Sequence, residues 1–259
     1  MIELDFSLVD LEYLLLILVR IASFVFVAPF FGQKGVPAPA KIGLSFFVAL
    51  ILHPLVPHPT LDYVSEIGYG IAVLKEVMAG LLIGFAANIC SAIVTFAGNI
   101  IDMDIGLSMA TTFNPDMSLQ TTVTGNLYYY LIFAFMVASN THLYVIRAIV
   151  DSFYVVPVGG VQFEWDSLMV TMVKFVTDLF VIGFRIFLPF FATLMITNCI
   201  LGIMAKVAPQ MNMFSVGIQL KILVGFIVLF FTIFMFPSVA ELVFNEIKTM
   251  VVLIIEGMY

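Results

Sequence analysis

Long apolar runs alternate along the chain with short breaks that are polar or rich in glycine and proline. A transmembrane helix needs about 20 mainly apolar residues. The apolar runs are Val9–Phe31, Ile42–Val56, Ile67–Ile101, Leu127–Ser139 together with Leu143–Val156, Leu168–Ala205 and Ile222–Ala240. The fourth run is divided by Asn140-Thr141-His142, which leaves one bent span and a helical hairpin both open. The pattern predicts an all-α integral membrane protein with about six hydrophobic helices.

The C-terminal tail has a different pattern. Between Glu241 and Tyr259, apolar residues stand at positions 242, 243, 247, 250, 251 and 254. Because residues three and four apart share one face of a helix, this spacing predicts an amphipathic helix after the last span.

The composition agrees with insertion into a membrane. Of the 259 residues, 63% are hydrophobic and 10% are charged, whereas soluble domains have about 25% charged residues. The expected surroundings are therefore membrane lipid. No basic patch is present, so no nucleic-acid partner is expected.

The placement of lysines predicts the orientation, because cytoplasmic loops of membrane proteins are enriched in Lys and Arg. Lys34 and Lys41 lie in the first loop, and Lys206 and Lys221 flank the break between the last two runs. With six spans these loops face the same side. We expect that side to be the cytoplasm.

Residue patterns of enzymatic sites are missing. The sequence has no Gly-rich phosphate loop, no HExxH and no nucleophile elbow. His53, His58 and His142 lie in loops or breaks, and Cys90 and Cys199 lie in apolar runs without metal-ligand spacing. We expect no enzymatic activity, no cofactor and no metal site.

Several charged residues interrupt the apolar runs. Lys174 and Asp178 are four apart and can pair on one helical face, whereas Lys75 and Glu76 are adjacent and cannot face each other. An unpaired charge at the bilayer centre costs roughly 2.5–3.5 kcal/mol on the insertion scale, so each such charge needs a partner. Structural ion pairs and a proton- or ion-coupling role both stay open.

Small residues form a stripe in the third run. They recur three or four apart: Gly80, Gly84, Ala87, Ser91, Thr95 and Gly98. One helical face made of small residues allows another helix to approach closely in lipid. Close helix packing and the lining of a polar passage are the two interpretations.

The segment Ile101–Asn126 is too polar for a span and too apolar for an ordinary solvated loop. Gly106, Gly125 and the turn signal Asn114-Pro115 interrupt regular structure. Irregular backbone at membrane depth is tolerated only inside protein or along a watery cavity. A cytoplasmic loop and a re-entrant or pore-associated loop both remain open.

Three stretches of the chain are distinctive. They are IDMDIGLSMATTFNP at Ile101–Pro115, SNTHLYVIRAIVDSFYVVPVG at Ser139–Gly159 and APQMNMFSVGIQLKI at Ala208–Ile222. In order and spacing they resemble the FliR family of type III protein-export gate subunits, and the resemblance covers nearly the whole chain. NPDMSLQ is more typical of flagellar members than of their virulence injectisome homologues.

The resemblance implies a non-enzymatic structural subunit of the flagellar export gate, in the bacterial inner membrane at the flagellar basal body. With FliP-like and FliQ-like subunits it would form a channel for unfolded flagellar export substrates, as bent hairpins in a helical assembly. Residues 1–166 would be the FliP-like part, and 167–259 the FliQ-like hairpin with the amphipathic helix. An FlhB-like switch protein is a further expected partner.

The resemblance also implies a pore plug near residues 106–122. In that loop Met109, Phe113 and Met117 offer apolar bulk that disfavours water in a constriction. Gly106 and Asn114-Pro115 permit a sharp path and movement. The competing interpretation is a cytoplasmic loop that only contacts partners.

The stretch between Lys206 and Lys221 is expected to be the cytoplasmic tip of the last hairpin and a partner contact. Pro209 ends the incoming helix. Gln210 and Asn212 offer hydrogen bonds to adjoining chains, and Met211 and Phe214 offer adaptable apolar contact. A solvated turn is the simpler alternative.

Two other classes of membrane protein fit the sequence less well. A small-solute secondary transporter often shows internal repeats with matching helix breaks, and neither is visible in this sequence. A membrane-embedded enzyme would need an acid–base pair or a metal set, which the sequence also does not show.

Overall fold

A computed structural model describes residues 8–33, 35–57, 63, 66–107, 122–210 and 212–259, with the side chains of residues 8, 213 and 214 left out. The described residues form α-helices joined by turns and loops, with no strand among them. The helices are α1 (Leu8–Val27), α2 (Ala38–Leu52), α3 (Glu66–Ala87), α4 (Ile89–Ile105), α5 (Val123–Ala138), α6 (Thr141–Val155), α7 (Trp165–Val207), α8 (Met213–Ile233) and α9 (Phe236–Glu256). The predicted all-α class is confirmed.

The number of helices suited to crossing a membrane is smaller than the number of predicted apolar runs. Among the described residues, three helices are long and apolar enough: α3, α7 and Ser215–Ile233 of α8. The bent pair α5–α6 adds a fourth if it forms one span. By contrast α2 has only 15 residues, and α1 contains Asp10, Glu12 and Arg20.

The third apolar run is two helices rather than one. It breaks at Asn88, whose N–H is shared between the carbonyl oxygens of Gly84 and Phe85 at 3.1 and 3.0 Å. The expectation that the small residues form one continuous helical face is therefore wrong. Gly80 and Gly84 belong to α3, and Gly98 belongs to α4.

The last hairpin has different limits from those predicted. α7 ends at Val207, before Pro209, as expected from the missing amide hydrogen of proline. α8 already begins at Met213, so much of the polar stretch Lys206–Lys221 is helical. The run Ile222–Ala240 is not one span, because α8 ends at Ile233 and α9 begins at Phe236.

The predicted amphipathic C-terminal helix is confirmed. α9 buries residues three or four apart: Phe236, Ala240, Val243, Phe244, Ile247, Met250, Val251, Ile254 and Ile255. Its end is fastened to the loop before α7 by backbone bonds from Gln162 N–H to the Met258 carbonyl (3.1 Å) and from Glu164 N–H to the Gly257 carbonyl (3.0 Å).

Packing divides the chain into two compact units. The first contains Met1–Ile89, Ser139–Phe175 and Asn245–Tyr259, and the second contains Cys90–Ala138 and Val176–Phe244. The predicted division at residue 166 concerns likeness to other subunits, and it stays a prediction.

In the first unit, α1 packs against α3 and α2. Its buried positions follow the helical period: Tyr13, Leu16, Ile17, Arg20, Ile21, Phe24 and Val25. The residues of α3 that contact α1 include Gly80 and Gly84. A Cβ at Gly80 would come closer than 3.0 Å to the Ser23 hydroxyl and the Arg20 carbonyl oxygen, and one at Gly84 would lie 3.0 Å from the Phe24 carbonyl oxygen. The two backbones therefore touch.

The second unit repeats this close packing with α4 at its centre. A Cβ at Gly98 would overlap the backbone of Gly125 in α5. On α7, the rings of Phe180 and Phe184 lie edge-on to Phe96 of α4, at 5.0 and 5.7 Å between centroids. Edge-on aromatic pairs of this kind add favourable quadrupole contacts to the buried area.

The α1–α3 contact generates a test at Gly80. We expect Gly80→Ala to destabilise the protein by about 1–3 kcal/mol, because the added methyl group meets backbone that cannot rotate away. Gly70→Ala is the matched control on the same helix, since a Cβ there meets nothing within 4 Å. Thermal unfolding in mild detergent measures both. Equal melting temperatures for the two variants would contradict the close α1–α3 packing.

Candidate functional site

A buried ion pair joins α1 to α3 inside the first unit. Arg20 Nε donates to Glu76 Oε2, and Arg20 Nη2 donates to Glu76 Oε1 at 3.0 Å. The exposed fractions of the two side chains are 1% and 0%. This two-point geometry is the strongest form of a carboxylate–guanidinium contact, and it fixes the rotation of both helices.

Other groups satisfy the remaining donors and acceptors of the pair. Arg20 Nη1 donates to the Val156 carbonyl at 2.9 Å, and Gly159 N–H donates to Glu76 Oε1 at 2.8 Å. The guanidinium carbon lies 4.3 Å from the centroid of the Phe153 ring. We call these five residues the Arg20–Glu76 network.

The network explains the local sequence after α6. Gly159 has φ 77, a left-handed conformation that glycine adopts without steric cost. This conformation directs its N–H to Glu76. The stretch SFYVVPVG therefore provides one wall of the ion pair, with Phe153, Val156 and Gly159 in contact with it.

Sequence reasoning missed this pairing. Lys75 stands next to Glu76 in the sequence but cannot face it, and Arg20 lies 56 residues away. The available signal was one cation and one anion in two different apolar runs, each requiring a partner. The pairing of Lys174 is also across helices: its Nζ donates to Glu246 Oε1 of α9 at 3.2 Å.

The second unit contains the described ends of the predicted plug loop. Before the loop, Gly106 has φ 95, which supports its predicted role at a sharp turn. The other predicted plug residues lie outside the described residues: Met109, Phe113, Asn114, Pro115 and Met117. Their roles stay predictions.

Hydrogen bonds join α4 to the start of α5 where the loop ends. Asp102 is 1% exposed, and it accepts from Thr124 N–H at 3.0 Å and from the Thr124 hydroxyl. Thr122 Oγ1 donates to Asn99 Oδ1 at 3.0 Å and accepts from Gly125 N–H at 3.2 Å. We call Asn99, Asp102, Thr122 and Thr124 the loop base.

The loop base is stabilised by the N-terminus of α5. Thr122 caps the helix through its hydroxyl, a common role for threonine before the first turn. The carboxylate of Asp102 also faces the positive end of the helix dipole. The start of α5, where the loop ends, is thereby held against α4.

The predicted partner-contact tip is a short exposed turn between α7 and α8. Pro209 and Gln210 are exposed. Asn212 is the N-cap of α8, where its side chain accepts from Ser215 N–H at 3.5 Å. Met211 and the side chain of Phe214 lie outside the described part. Asn212 thus has a capping role that the sequence reasoning did not assign.

A polar cluster lies near the start of α1. The Tyr63 hydroxyl donates to Glu12 Oε2, and the Tyr69 hydroxyl donates to the Glu12 carbonyl oxygen at 3.2 Å. The hydrogen bond to the carboxylate raises the pKa of Tyr63 to about 12. His53 Nε2 lies 3.2 Å from the Asp10 carbonyl oxygen. No group of three or more metal-ligating side chains occurs within the described ranges.

Comparison with known proteins identifies the family. The family model described as "Bacterial export proteins, family 1" matches residues 11–247. The chain belongs to this family. The match extends from α1 into α9, so it includes both the Arg20–Glu76 network and the loop base.

Individual relatives in the export family agree. Flagellar biosynthetic protein FliR of Bacillus subtilis (strain 168) is 33% identical over 226 residues, which cover 86% of this chain and 87% of the relative. FliR of Buchnera aphidicola subsp. Schizaphis graminum is 32% identical over 227 residues, 87% of each chain. FliR of Escherichia coli (strain K12) is 27% identical over 230 residues, 89% of this chain and 87% of the relative. None of these names states a catalytic reaction.

The Arg20–Glu76 network predicts a large loss of stability on removing one charge. Glu76→Ala leaves a buried guanidinium without its counter-ion, which costs about 3–5 kcal/mol. Asp151→Asn is the matched control, because Arg147 and Asp151 form an exposed pair with side chains 79% and 60% exposed, and such pairs contribute about 0–1 kcal/mol. Thermal unfolding in detergent compares the two.

A double variant tests whether the loss of stability comes from the unpaired charge. In Arg20→Met/Glu76→Leu both charges are absent, so the loss should be smaller than for Glu76→Ala alone. If Glu76→Ala melted within the range of Asp151→Asn, the network would not hold the first unit together.

Proposed function

We propose that the chain is a non-enzymatic structural subunit of the flagellar type III protein-export gate, in the bacterial inner membrane at the basal body. The observation that carries this proposal is the similarity to proteins named FliR over 86–87% of both chains. The export-family match and the membrane-length apolar helices support it. The flagellar names favour the flagellar system over the injectisome.

The proposed partners are FliP-like and FliQ-like subunits, an FlhB-like switch protein and unfolded export substrates. The surface of α7 supports an assembled state. Val173, Leu188 and Ile203 are 66, 57 and 65% exposed, and side chains of this kind need lipid or protein around them. In the proposed assembly, residues 1–166 act as a FliP-like part and 167–259 as a FliQ-like hairpin with the amphipathic helix.

The tip Pro209–Phe214 is proposed to contact the FliQ-like and FlhB-like chains. Gln210 is exposed beside Pro209, and its amide has both donors and an acceptor for an adjoining backbone. Asn212 has a second role as the α8 cap, so a test must separate capping from contact.

Assembly tests both the function and the tip. Co-expressed with its FliP-like and FliQ-like partners, the chain should co-purify with them in mild detergent, and native mass spectrometry should give one defined complex. Gln210→Ala/Asn212→Ala should reduce the yield of that complex. Asn212→Ser keeps a capping hydroxyl, so Gln210→Ala/Asn212→Ser isolates the loss of contacts from the loss of the cap.

The possible outcomes separate the two ideas. A chain that purifies alone and stable, without the smaller partners, contradicts the gate function. A complex that forms normally with Gln210→Ala/Asn212→Ala, and still exports, contradicts only the tip contact.

The loop between Gly106 and Thr122 is proposed to fill the central passage at rest. A passage wide enough for an unfolded chain would leak ions, so a removable segment has to close it. Met109, Phe113 and Met117 offer unbranched or aromatic bulk that disfavours water. The loop base supports this role, because Asn99 and Asp102 of α4 bind Thr122 and Thr124, so that the segment ends beside the helix from which it starts.

A short deletion tests the plug. Deleting Ala110–Asn114 leaves the four residues of the loop base in place, so the subunit should assemble while the resting membrane becomes more permeable to small ions. A variant of full length, Met109→Ser/Phe113→Ser/Met117→Ser, should leak in the same direction. Ion flux into proteoliposomes that contain the complex measures both.

Met103→Ser is the control, because Met103 is a 70% exposed methionine of α4 before the loop. It should leave the complex as tight as the parent. An assembled complex with the deletion that stays equally tight would exclude the plug and favour a loop that only contacts partners.

A further inference from the structure

Arg185 lies in α7 beside a cavity of about 260 Å³ in the second unit. The guanidinium is exposed and, within the described ranges, forms no hydrogen bond, ion pair or ring contact. The cavity lining contains this one cation and no carboxylate. A cation in a largely apolar site without a counter-ion favours the binding of an anion.

The geometry of α7 explains why the site is open at this point. Pro189 lies inside the helix and also lines the cavity. Because proline has no amide hydrogen, it cannot donate to the carbonyl of the residue four positions earlier, which is Arg185. The carbonyl of Arg185 is therefore an acceptor without its usual helical donor, next to the free guanidinium.

The remaining walls of the cavity are of two kinds. The Ser238 hydroxyl provides a hydrogen-bond donor. The Thr232 hydroxyl already donates to the Leu229 carbonyl at 2.9 Å, and its oxygen lies 3.4 Å from the Tyr128 hydroxyl oxygen. Ile186 and Phe236 belong to the apolar part of the lining. The site thus combines a cation and one hydroxyl donor with an apolar wall, which suits an anionic amphiphile better than a free ion.

The position of Arg185 along α7 identifies the source of that amphiphile. Ile186–Ala205 is a stretch of twenty residues without a charge, and Lys206 follows it. At 1.5 Å per residue this stretch is about 30 Å long, which equals the hydrocarbon thickness of a bilayer. A helix placed by this stretch puts Arg185 at one lipid headgroup level and Lys206 at the other.

We propose that the Arg185 cavity binds the phosphate group of an anionic phospholipid such as phosphatidylglycerol. The guanidinium and the Ser238 hydroxyl donate to the phosphate, a headgroup hydroxyl donates to the Arg185 carbonyl, and the first methylene groups of the acyl chains lie on the apolar wall. Basic pockets between membrane helices bind anionic headgroups in this way. The site does not depend on the proposed role in export.

The test compares lipids on the full-length protein, purified with whatever subunits accompany it. Samples are placed in nanodiscs of phosphatidylcholine, of phosphatidylcholine with phosphatidylglycerol, and of phosphatidylcholine with added inorganic phosphate. Native mass spectrometry counts the retained lipids, and the unfolding temperature reports stabilisation. We expect phosphatidylglycerol to be retained and to stabilise the protein, and inorganic phosphate to have little effect.

Two substitutions and a control locate the effect. Arg185→Gln should weaken phosphatidylglycerol binding by about tenfold or more, as expected for the loss of charge-assisted hydrogen bonds. Arg185→Lys should keep part of the affinity, because it keeps the charge but not the fork of donors. Arg147→Gln removes an arginine whose side chain is 79% exposed and should bind as the parent does.

Three results would overturn the proposal. One is phosphatidylglycerol binding to Arg185→Gln at parental strength, and another is stabilisation of the parent by inorganic phosphate as strong as that by the lipid. The third concerns a protein partner. If carbodiimide joins the lysine introduced by Arg185→Lys to a carboxylate of another subunit, the counter-ion is a protein side chain. Comparison of the parent in the three nanodiscs keeps the test valid even if Arg185→Gln fails to fold.

Discussion

The buried ion pair between Arg20 and Glu76 constrains the first unit more than any other contact. Two charges that are almost fully buried require every remaining donor and acceptor to find a partner, because a half-satisfied pair costs several kcal/mol. The protein meets this requirement with groups from α1, α3, the end of α6 and the following turn. If one of those segments shifted alone, a charged group would be exposed or would lose its partner.

Close backbone contact is the second constraint, and it follows from the same environment. In lipid, helices gain little by burying apolar side chains, so association relies on packing and hydrogen bonds. Gly80 lets α3 touch α1 beside Arg20, and Gly98 lets α4 touch α5 beside the loop base. Glycine and polar bonds therefore occur together, since short helix separations bring the hydrogen-bonding groups within reach.

The loop base gives the candidate gate region a fixed frame. Asp102 and Asn99 sit on α4, and their partners Thr124 and Thr122 belong to the start of α5. The start of α5 is thereby held against the helix that precedes the segment. This arrangement is consistent with the proposed plug, whose apolar residues belong to the sequence between α4 and α5.

The amino-acid sequence by itself determined the all-α membrane class, the amphipathic α9 and the end of α7 before Pro209, because these depend on local periodicity and on the missing amide of proline. It also determined the family resemblance, which depends on three stretches and their order along the chain. The break at Asn88 was not predictable, since long apolar and helix-forming stretches lie on either side of it. The start of α8 and the interruption before α9 do have local signals, the N-cap residue Asn212 and Pro237 in the first turn of α9, but the pattern of apolar runs does not include them. Only the tertiary structure decided that Arg20 pairs with Glu76, that Gly159 completes the pair, and that Arg185 lies at a cavity without a counter-ion. Those facts depend on which helix faces meet, and a pattern along one chain gives the faces of each helix but not their partners.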